Sequence, residues 1–500
     1  MIRRLSLAAL TLLAAAAVAA PSASAEVKTM KFKFGPIDIA PGQNTIELKP
    51  NELRPKVPGY IVKFRPDLTY MNGKVPGVDV LHLHHGVWLI NNYPTFAAGE
   101  EKTELGTPEG YGYPSKPEDV WIMNYMIHNL TPTAAKVYLT YELDYIPMTE
   151  PEAEDIIPVR TQWMDVEGIN VYPVFDALRR DAGKDGLFTY PDDVPNAYAD
   201  DGFKRNEWVV PEAGTLVATG GHLHPGGLWT DLKLTRDGKT VNIFRSKAKY
   251  WEPAGAVSWD VAMKVTPEDW RVRVQPGDVI SVSGTYDTKK GSWYESMAIN
   301  VLAWAPGDLS GKDPFTETIN RKGVVTHGHL PENDNHGGER FGLPDAREML
   351  AGASRSGGSV TIQDFVYTYG DLSNVGLRGR PPVVQQGESI TFRNLDDSEE
   401  IWHTITACKA PCNRSTGIAY PLADGPVDFD SGQLGTGNPI RAAAAAQRVE
   451  WETPKNLRPG TYTYFCRVHP FMRGAFRVAG RAGGKAKAAA VQPAAQIKVR

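Results

Sequence analysis

The segment TYTYFCRVHPFMRG, at residues 461–474, contains three side chains that bind soft metal ions: Cys466, His469 and Met472. An earlier strand-like run, IWHTITA, supplies a further ligand, His403. Two imidazoles and a thiolate in one plane, with a weak thioether ligand on the axis, are the ligand set of a blue copper site. Zinc accepts similar ligands, but the methionine favours copper. Burial of the cysteine and methionine as ordinary core residues is the alternative, and it leaves the thiol unexplained.

Cys466 is one of three cysteines in the chain. Cys408 and Cys412, in ACKAPCN, are close enough in sequence to form a disulfide across a short loop, although bridges of this spacing are geometrically demanding. Cys466 then has no partner. In an exported protein, an odd cysteine indicates either an intermolecular bond or a thiol with a chemical role.

The region around this segment resembles the cupredoxins, and its C-x2-H-P-x-M spacing is similar to the copper loop of amicyanin-like and plastocyanin-like members. The resemblance implies a Greek-key β-sandwich that holds one type 1 copper ion. Its ligands would be His403, Cys466, His469 and Met472. It also implies a one-electron carrier that alternates between Cu(I) and Cu(II).

The remaining histidines also fall into groups within β-rich segments. His84 and His85 are adjacent in HLHHG, where His82 has no assigned role. His222 and His224, in GHLHP, point to the same face of a strand because side chains alternate along it. One such pair alone is more often hydrogen-bonded than metal-binding. Several groups beside a copper loop predict at least one further metal site.

The order of these histidines, followed by a distant methionine, resembles the peptidylglycine α-hydroxylating and dopamine β-monooxygenases over residues 30–305. The resemblance implies two β-sandwich domains that each hold one copper ion and together hydroxylate a C–H bond with O2. By this resemblance, the ligands of an electron-donating copper site are His84, His85 and His128. The ligands of a catalytic, oxygen-activating copper site are His222, His224 and Met297.

Two departures limit this resemblance. The animal enzymes are cross-linked by disulfides, whereas residues 26–400 contain no cysteine. Their substrate-binding residues have no counterpart, so the substrate, a small molecule or a peptide, is not predicted. A further group of histidines in VVTHGHLPENDNHGGER fits neither family: His327, His329 and His336. These residues could form a third metal site, a substrate-facing loop or a plain connector.

Short alternating runs such as KVYLTYELDYI and DVISVSGTYDT predict the strands that position these side chains. Asp237-Gly238, between two such runs, predicts a hairpin turn. Helix is scarce, with VFDALRRDAG and PDAREMLAGA as the clearest candidates. The predicted class is therefore all-β: two consecutive jelly-roll-like sandwiches followed by a cupredoxin sandwich.

Composition shifts along the chain predict six segments. They are a signal peptide (1–25), a first copper monooxygenase-like sandwich (26–155), a second (156–305), a His/Gly/Asn-rich connector (306–355), the cupredoxin domain (356–478) and a disordered basic tail (479–500).

The N-terminal stretch MIRRLSLAALTLLAAAAVAAPSASA combines arginines, an apolar run and a small-x-small end, which is typical of a cleaved secretory signal. The run is too short for a stable membrane span. The prediction is a secreted, extracytoplasmic protein. A formal net charge of −4, without a basic stripe, excludes nucleic acid as an expected partner.

The predicted function is that of a secreted copper monooxygenase-like oxidoreductase whose fused blue copper domain transfers electrons. Its partners would be O2, an unidentified substrate and a redox partner. Three alternatives remain. A non-catalytic copper carrier or scavenger would bind metal at the same histidines, and a purely structural domain would bind sugar or peptide. A multicopper oxidase would use HxH pairs, but the H-C-H relay of that family is absent because Phe465 and Arg467 flank Cys466.

Overall fold

The computed structural model describes residues 27–327, with short gaps at 79, 169–171, 196, 199–201, 252–255, 257–258 and 290, followed by 355–372, 381–396, 401–408, 428–436 and 448–480. The predicted signal peptide, nearly all of the basic tail and the helix candidate PDAREMLAGA lie outside these residues. The described residues form β-strands and two short 3₁₀ turns, so the prediction of an all-β, multi-domain sandwich protein is confirmed. In this described part, no helix is long and apolar enough to cross a membrane.

The first sandwich contains β1 (Lys28–Ile39), β2 (Ile46–Pro50), β3 (Gly59–Tyr70), β4 (Leu81–Ile90), β5 (Tyr93–Ala98), β6 (Leu105–Gly106), β7 (Tyr111–Ser115), β8 (Trp121–Asn129), β9 (Ala135–Pro147) and β10 (Ile157–Pro158). A 3₁₀ turn, Pro151–Asp155, precedes the last of these strands. One sheet has the order β1-β9-β3-β7-β10, with β6 on β3, and the other has the order β2-β8-β4-β5. Alternation buries Val137, Leu139 and Tyr141 of β9 in the core between the sheets.

The second sandwich contains β11 (Arg160–Asp165), β12 (Phe175–Ala177), β13 (Leu187–Tyr190), β14 (Glu207–Val209), β15 (Gly214–Leu223), β16 (Gly227–Arg236), β17 (Lys239–Tyr250), β18 (Val261–Val265), β19 (Val272–Val274), β20 (Val279–Asp287), β21 (Trp293–Ser296), β22 (Ala298–Pro306) and β23 (Val324–Val325). Its main sheet follows the order β11-β22-β15-β18-β17-β16-β20-β13 around one core. Asp237 and Gly238 join β16 to β17 with φ values of 49° and 73°, which confirms the predicted hairpin.

The helix prediction for VFDALRRDAG is wrong. Phe175 and Ala177 are buried and pair with β21, and only a single 3₁₀ turn, Arg179–Asp181, follows them. Tertiary pairing therefore overrides the local helix propensity. The start of the predicted connector also packs on this sandwich, because Ile319 lies in its core and β23 pairs with β18.

The third sandwich contains β24 (Arg355–Ser356), β25 (Ser359–Gln363), β26 (Val366–Tyr367), β27 (Pro382–Gln385), β28 (Thr391–Asn394), β29 (Thr406–Cys408), β30 (Glu450–Glu452), β31 (Gly460–Phe465) and β32 (Arg473–Ala479). Its sheets have the orders β24-β27-β32-β31-β29 and β26-β25-β28-β30. Both contribute to a core that includes Val360, Phe392, Tyr464 and Phe476.

The first two sandwiches share a buried apolar interface. Met126 of the first packs with Trp163, Met297 and Ile299 of the second in one hydrophobic cluster. Burial of such surface is the main favourable term in association. The contact brings the histidine-bearing strands β4, β8 and β15 to one junction, which is where the candidate sites lie.

Candidate metal centres

Three of the predicted type 1 copper ligands converge in the third sandwich. The ligand atoms of His403, Cys466 and His469 all lie within 4.8 Å of one another, and all three residues are buried. The Cys466 Sγ atom is 3.8 Å from His403 Nδ1 and 3.7 Å from His469 Nδ1, and the two nitrogens are 3.2 Å apart. A thiol and two imidazole nitrogens thus face one point.

The chain between β31 and β32 makes a tight turn that presents this set. The Cys466 backbone N–H donates to the Met472 carbonyl at 3.1 Å, and the Met472 N–H donates to the His469 carbonyl at 2.8 Å. Met472 is fully buried in the same hydrophobic cluster as Cys466. His403 reaches the turn from the chain just before β29, where it pairs with Leu434. Local sequence spacing therefore accounts for most of the site.

The outward ring nitrogens of this site are held by protein oxygens. His403 Nε2 is 2.9 Å from an Asp396 carboxylate oxygen, and His469 Nε2 donates to the Gly42 carbonyl of the first sandwich at 2.8 Å. Metal-binding histidines are usually oriented in this way through their second nitrogen. Burial holds the pKa of His469 well below its usual range. Its imidazole is therefore neutral, as a metal ligand must be.

The thiol also has polar support. The backbone N–H groups of Thr404 and His469 point at the Cys466 sulfur, at 3.3 Å and 3.4 Å. Buried nitrogen and sulfur ligands of this kind fit the trigonal plane of a blue copper site.

A second group of histidines lies where the first two sandwiches meet. His82, His84 and His85 belong to β4, His128 to β8, and His222 to β15. His224 follows directly on β15 and completes this histidine cluster. In the pairing of β4 with β8, Leu83 and His85 have consecutive partners, so His84 is an extra, bulged residue. A bulge interrupts strict alternation and lets neighbouring rings turn towards one junction.

The ring contacts join the two copper sites that the sequence assigns to separate domains. His84 lies 4.5 Å from His224 between ring centroids, which links the predicted electron-donating set to the predicted oxygen-activating set. His128 lies beside His82, at 4.8 Å. Trp259 packs on three of the rings, at 4.6 Å from His82, 4.7 Å from His84 and 5.0 Å from His224. The structure therefore places one continuous histidine cluster at the junction.

In each of four rings of this cluster, one nitrogen lies close to a protein oxygen. The pairs are His222 Nδ1 with Glu101 Oε1 at 3.0 Å, His85 Nε2 with Asn124 Oδ1 at 3.3 Å, His82 Nδ1 with the Val78 carbonyl at 3.4 Å, and His224 Nδ1 with the Glu295 carbonyl. The opposite nitrogen of each of these rings is buried without a hydrogen bond, as is one nitrogen of His84. Buried polar atoms are rarely left unpaired, so this pattern fits metal ligands.

Burial keeps five of these imidazoles in the neutral form that binds metal. It lowers the pKa of His85 to about 4 and that of His128 to about 3. It holds the pKa values of His84 and His224 well below the usual range. The cluster is more extended than the third-sandwich site. Among the described residues, no three of its ligand atoms converge within 4.8 Å.

Met297 lies between β21 and β22 and is buried at the interface of the first two sandwiches. Together with His85 and His222 it lines a cavity of about 240 Å³. Most other lining side chains are apolar, among them Val87, Ala97, Trp163, Ile299 and Val301. Two of the three predicted oxygen-activating residues, His222 and Met297, thus border this largely apolar cavity.

The other predicted site residues are not joined to either group by the described contacts. His327 is half-buried at the end of a described segment, and His329 and His336 lie outside the described residues. The side chain of Cys408 and all of Cys412 also lie outside them, so the predicted disulfide stays a prediction.

Sequence reasoning missed the residues that orient the ligands. Glu101 lies in the string GEEKT, and Asn124 and Asp396 lie in equally ordinary surroundings. The Gly42 contribution is a backbone carbonyl, which carries no side-chain signal. These partners become visible only when strands from different sandwiches are packed together.

Replacing Glu101 by glutamine is expected to weaken copper binding at the histidine cluster by about 10- to 100-fold, as is typical when an outer partner of a metal ligand is lost. The amide is a weaker acceptor for the His222 ring, while the third-sandwich site is untouched. Copper titration of the variant measures the effect. Glu104→Gln, at a partly exposed carboxylate paired with Lys63, is the matched control. Equal affinities for Glu101→Gln and wild type would contradict the orienting role.

No protein-family model and no curated protein matches the chain. Among solved structures, one similar chain is the Cu-containing nitrite reductase (NirK) from Thermus scotoductus SA-01, with 14% sequence identity and a TM-score of 0.16. The match covers 54% of this chain, which spans 58% of the length of that reductase chain. A TM-score this low carries no argument about the fold or the function of this chain.

Proposed function

We propose that this protein is a copper-dependent oxidoreductase with two linked centres. A blue copper site in the third sandwich, with His403, Cys466, His469 and Met472 as ligands, transfers single electrons. The histidine cluster holds one or two further copper ions and uses O2 to hydroxylate a C–H bond. The N-terminal signal-like segment supports an extracytoplasmic location, where an external redox partner would supply the electrons.

The observation that carries this proposal is the set of buried, unpaired imidazole nitrogens at the junction. A stable core does not leave such atoms unsatisfied without a reason, since each costs about 1–3 kcal/mol. Copper, when bound there, would supply one-electron chemistry and O2 activation. Glu101 and Asn124 orient two of the rings, burial keeps the His85 ring neutral, and Trp259 packs on three other rings.

The apolar cavity supports hydroxylation of a bound molecule. His222 and Met297 lie at its wall, so a substrate held there would sit beside the proposed oxygen-activating residues. An apolar cavity of about 150 Å³ can hold benzene, so a cavity of about 240 Å³ suits a somewhat larger uncharged molecule. The lining would orient a C–H bond and exclude water.

The direct experiment incubates copper-loaded protein with a one-electron reductant, labelled O2 and a panel of small hydrocarbons. The proposal expects one labelled oxygen atom in an alcohol product for each O2 consumed. Oxygen uptake without any oxygenated product contradicts hydroxylation. Copper binding without oxygen uptake identifies a non-catalytic carrier instead.

One observation favours a second candidate, an oxidase that reduces O2 to water. The ring centroids of His84 and His224 lie 4.5 Å apart, so metal ions bound to these two rings would lie close together. The labelled-O2 experiment separates the two functions. An oxidase releases the label as water even when no hydrocarbon is present.

Filling the cavity should separate substrate binding from copper chemistry. Ala97→Phe adds a ring to the cavity wall. We expect hydrocarbon hydroxylation to be lost, because the substrate volume is occupied, while the copper content and the blue spectrum stay unchanged. Product analysis and copper analysis of the same sample measure both effects. Full hydroxylation by the variant would show that the substrate binds elsewhere.

A further inference from the structure

His469 connects the third-sandwich site to the first sandwich. Its ring is fully buried and donates through Nε2 to the Gly42 carbonyl at 2.8 Å. Phe365 lies 4.9 Å from the ring and packs directly on Gly42, where an added Cβ would be 2.4 Å from the phenyl ring. The edge of this proposed copper ligand is therefore covered by the protein's own first sandwich.

A series of imidazole rings begins at this contact. His128 lies 6.1 Å from His469 between ring centroids, at an interplanar angle of 83°. His82 follows at 4.8 Å from His128, and His84 at 6.3 Å from His82. All of these rings are buried. The series runs from the third-sandwich site into the histidine cluster, with neighbouring ring centroids 4.8 to 6.3 Å apart.

We infer that His128 is the bridge by which electrons pass from the third-sandwich copper site to the histidine cluster. The inference rests on the proposed function. With copper bound at both sites, each transfer would oxidise the third-sandwich Cu(I) to Cu(II) and reduce one Cu(II) of the cluster to Cu(I). No bond breaks and no proton has to move. A small one-electron reductant outside the protein then reduces the third-sandwich site again.

This role differs from the one that the monooxygenase resemblance gives to His128. His128 contacts His82 and His469, and its place is between the two centres rather than beside His84 and His85. As a bridge it acts through its position, so its loss should slow electron transfer without removing a copper ion.

The test is His128→Phe, which keeps an aromatic ring of similar shape in the buried position. The third-sandwich site is reduced by a pulse of a small one-electron reductant without oxygen, and recovery of its blue absorption reports transfer to the cluster. We expect recovery of the blue absorption to slow, because the bridging imidazole is lost, with copper content, blue spectrum and reduction potential unchanged. His128→Gln repeats the measurement if the first variant folds poorly. Ile127→Leu, at the adjacent core position of the same strand, should recover like wild type.

Each other outcome decides against the inference. Recovery of the His128 variants at the wild-type rate would overturn the route. Loss of one copper ion from the cluster would show that His128 is a ligand and not a bridge. If the blue absorption of wild type itself never recovers, no electron reaches the cluster, and the proposed function fails together with the route.

Discussion

Replacing Cys466 by serine is expected to abolish the intense visible absorption of the copper-loaded protein. That absorption requires charge transfer between a thiolate and copper, and Cys466 is the free cysteine among the described residues. Serine is close in size, so the buried turn between β31 and β32 should keep its shape. Copper content should fall by one ion per chain, while the histidine cluster keeps its metal. An unchanged absorption spectrum would contradict the blue copper assignment.

Met472→Leu is the matched control for this experiment. Leucine fills nearly the same volume and leaves His403, Cys466 and His469 in place. The blue band should therefore persist, but the reduction potential should shift, because the axial ligand tunes it. If band and potential both match wild type, Met472 is a core residue and not a ligand.

Met297→Leu is expected to stop hydroxylation while the blue site persists. Met297 is buried at the interface of the first two sandwiches, and truncation to alanine would add a packing loss of about 2–5 kcal/mol. Leucine removes the thioether but retains the packing. A thioether favours Cu(I), which is the form that meets O2, so oxygen uptake coupled to substrate should fall to the level of copper-free protein.

Met126→Leu controls for the packing change, since Met126 lies in the same hydrophobic cluster as Met297. It should retain wild-type activity. Oxygen consumption, product analysis and thermal unfolding of both variants separate chemistry from stability. Wild-type turnover by Met297→Leu would exclude the thioether from the reaction.

Local features of this protein are predictable from its sequence. The Asp237-Gly238 turn follows from the backbone freedom of those residues at positive φ. The third-sandwich site is also largely local, since Cys466 and His469 share one turn and only His403 comes from a different part of the domain. Spacing therefore carries most of the information for this site.

The histidine cluster could not be predicted as one unit. Spacing identifies His84 and His224 as ligand candidates, but their 4.5 Å contact depends on how the first two sandwiches pack. Long-range packing also brings Glu101 to His222 and Gly42 to His469. The monooxygenase-like pattern assigns the histidines to two separate domains, so it does not predict contacts between the two sets.

The third-sandwich site lies against both of the other sandwiches. The third-sandwich site faces Gly42 and His128 of the first sandwich and also contacts the second, where the Arg467 side chain donates to the Ser292 carbonyl at 2.6 Å. Both contacts hold the site against the sandwiches that carry the cluster. These contacts support the proposal that the third-sandwich site passes electrons to an internal partner.

The central claim is that the histidine cluster is a second copper centre served by the third-sandwich site. The most direct measurement is the number of copper ions per chain, combined with absorption and paramagnetic resonance spectra that distinguish blue from ordinary copper. The account predicts one blue copper and at least one additional, non-blue copper in each chain. A single blue copper, with the histidine cluster unable to bind copper, would contradict it.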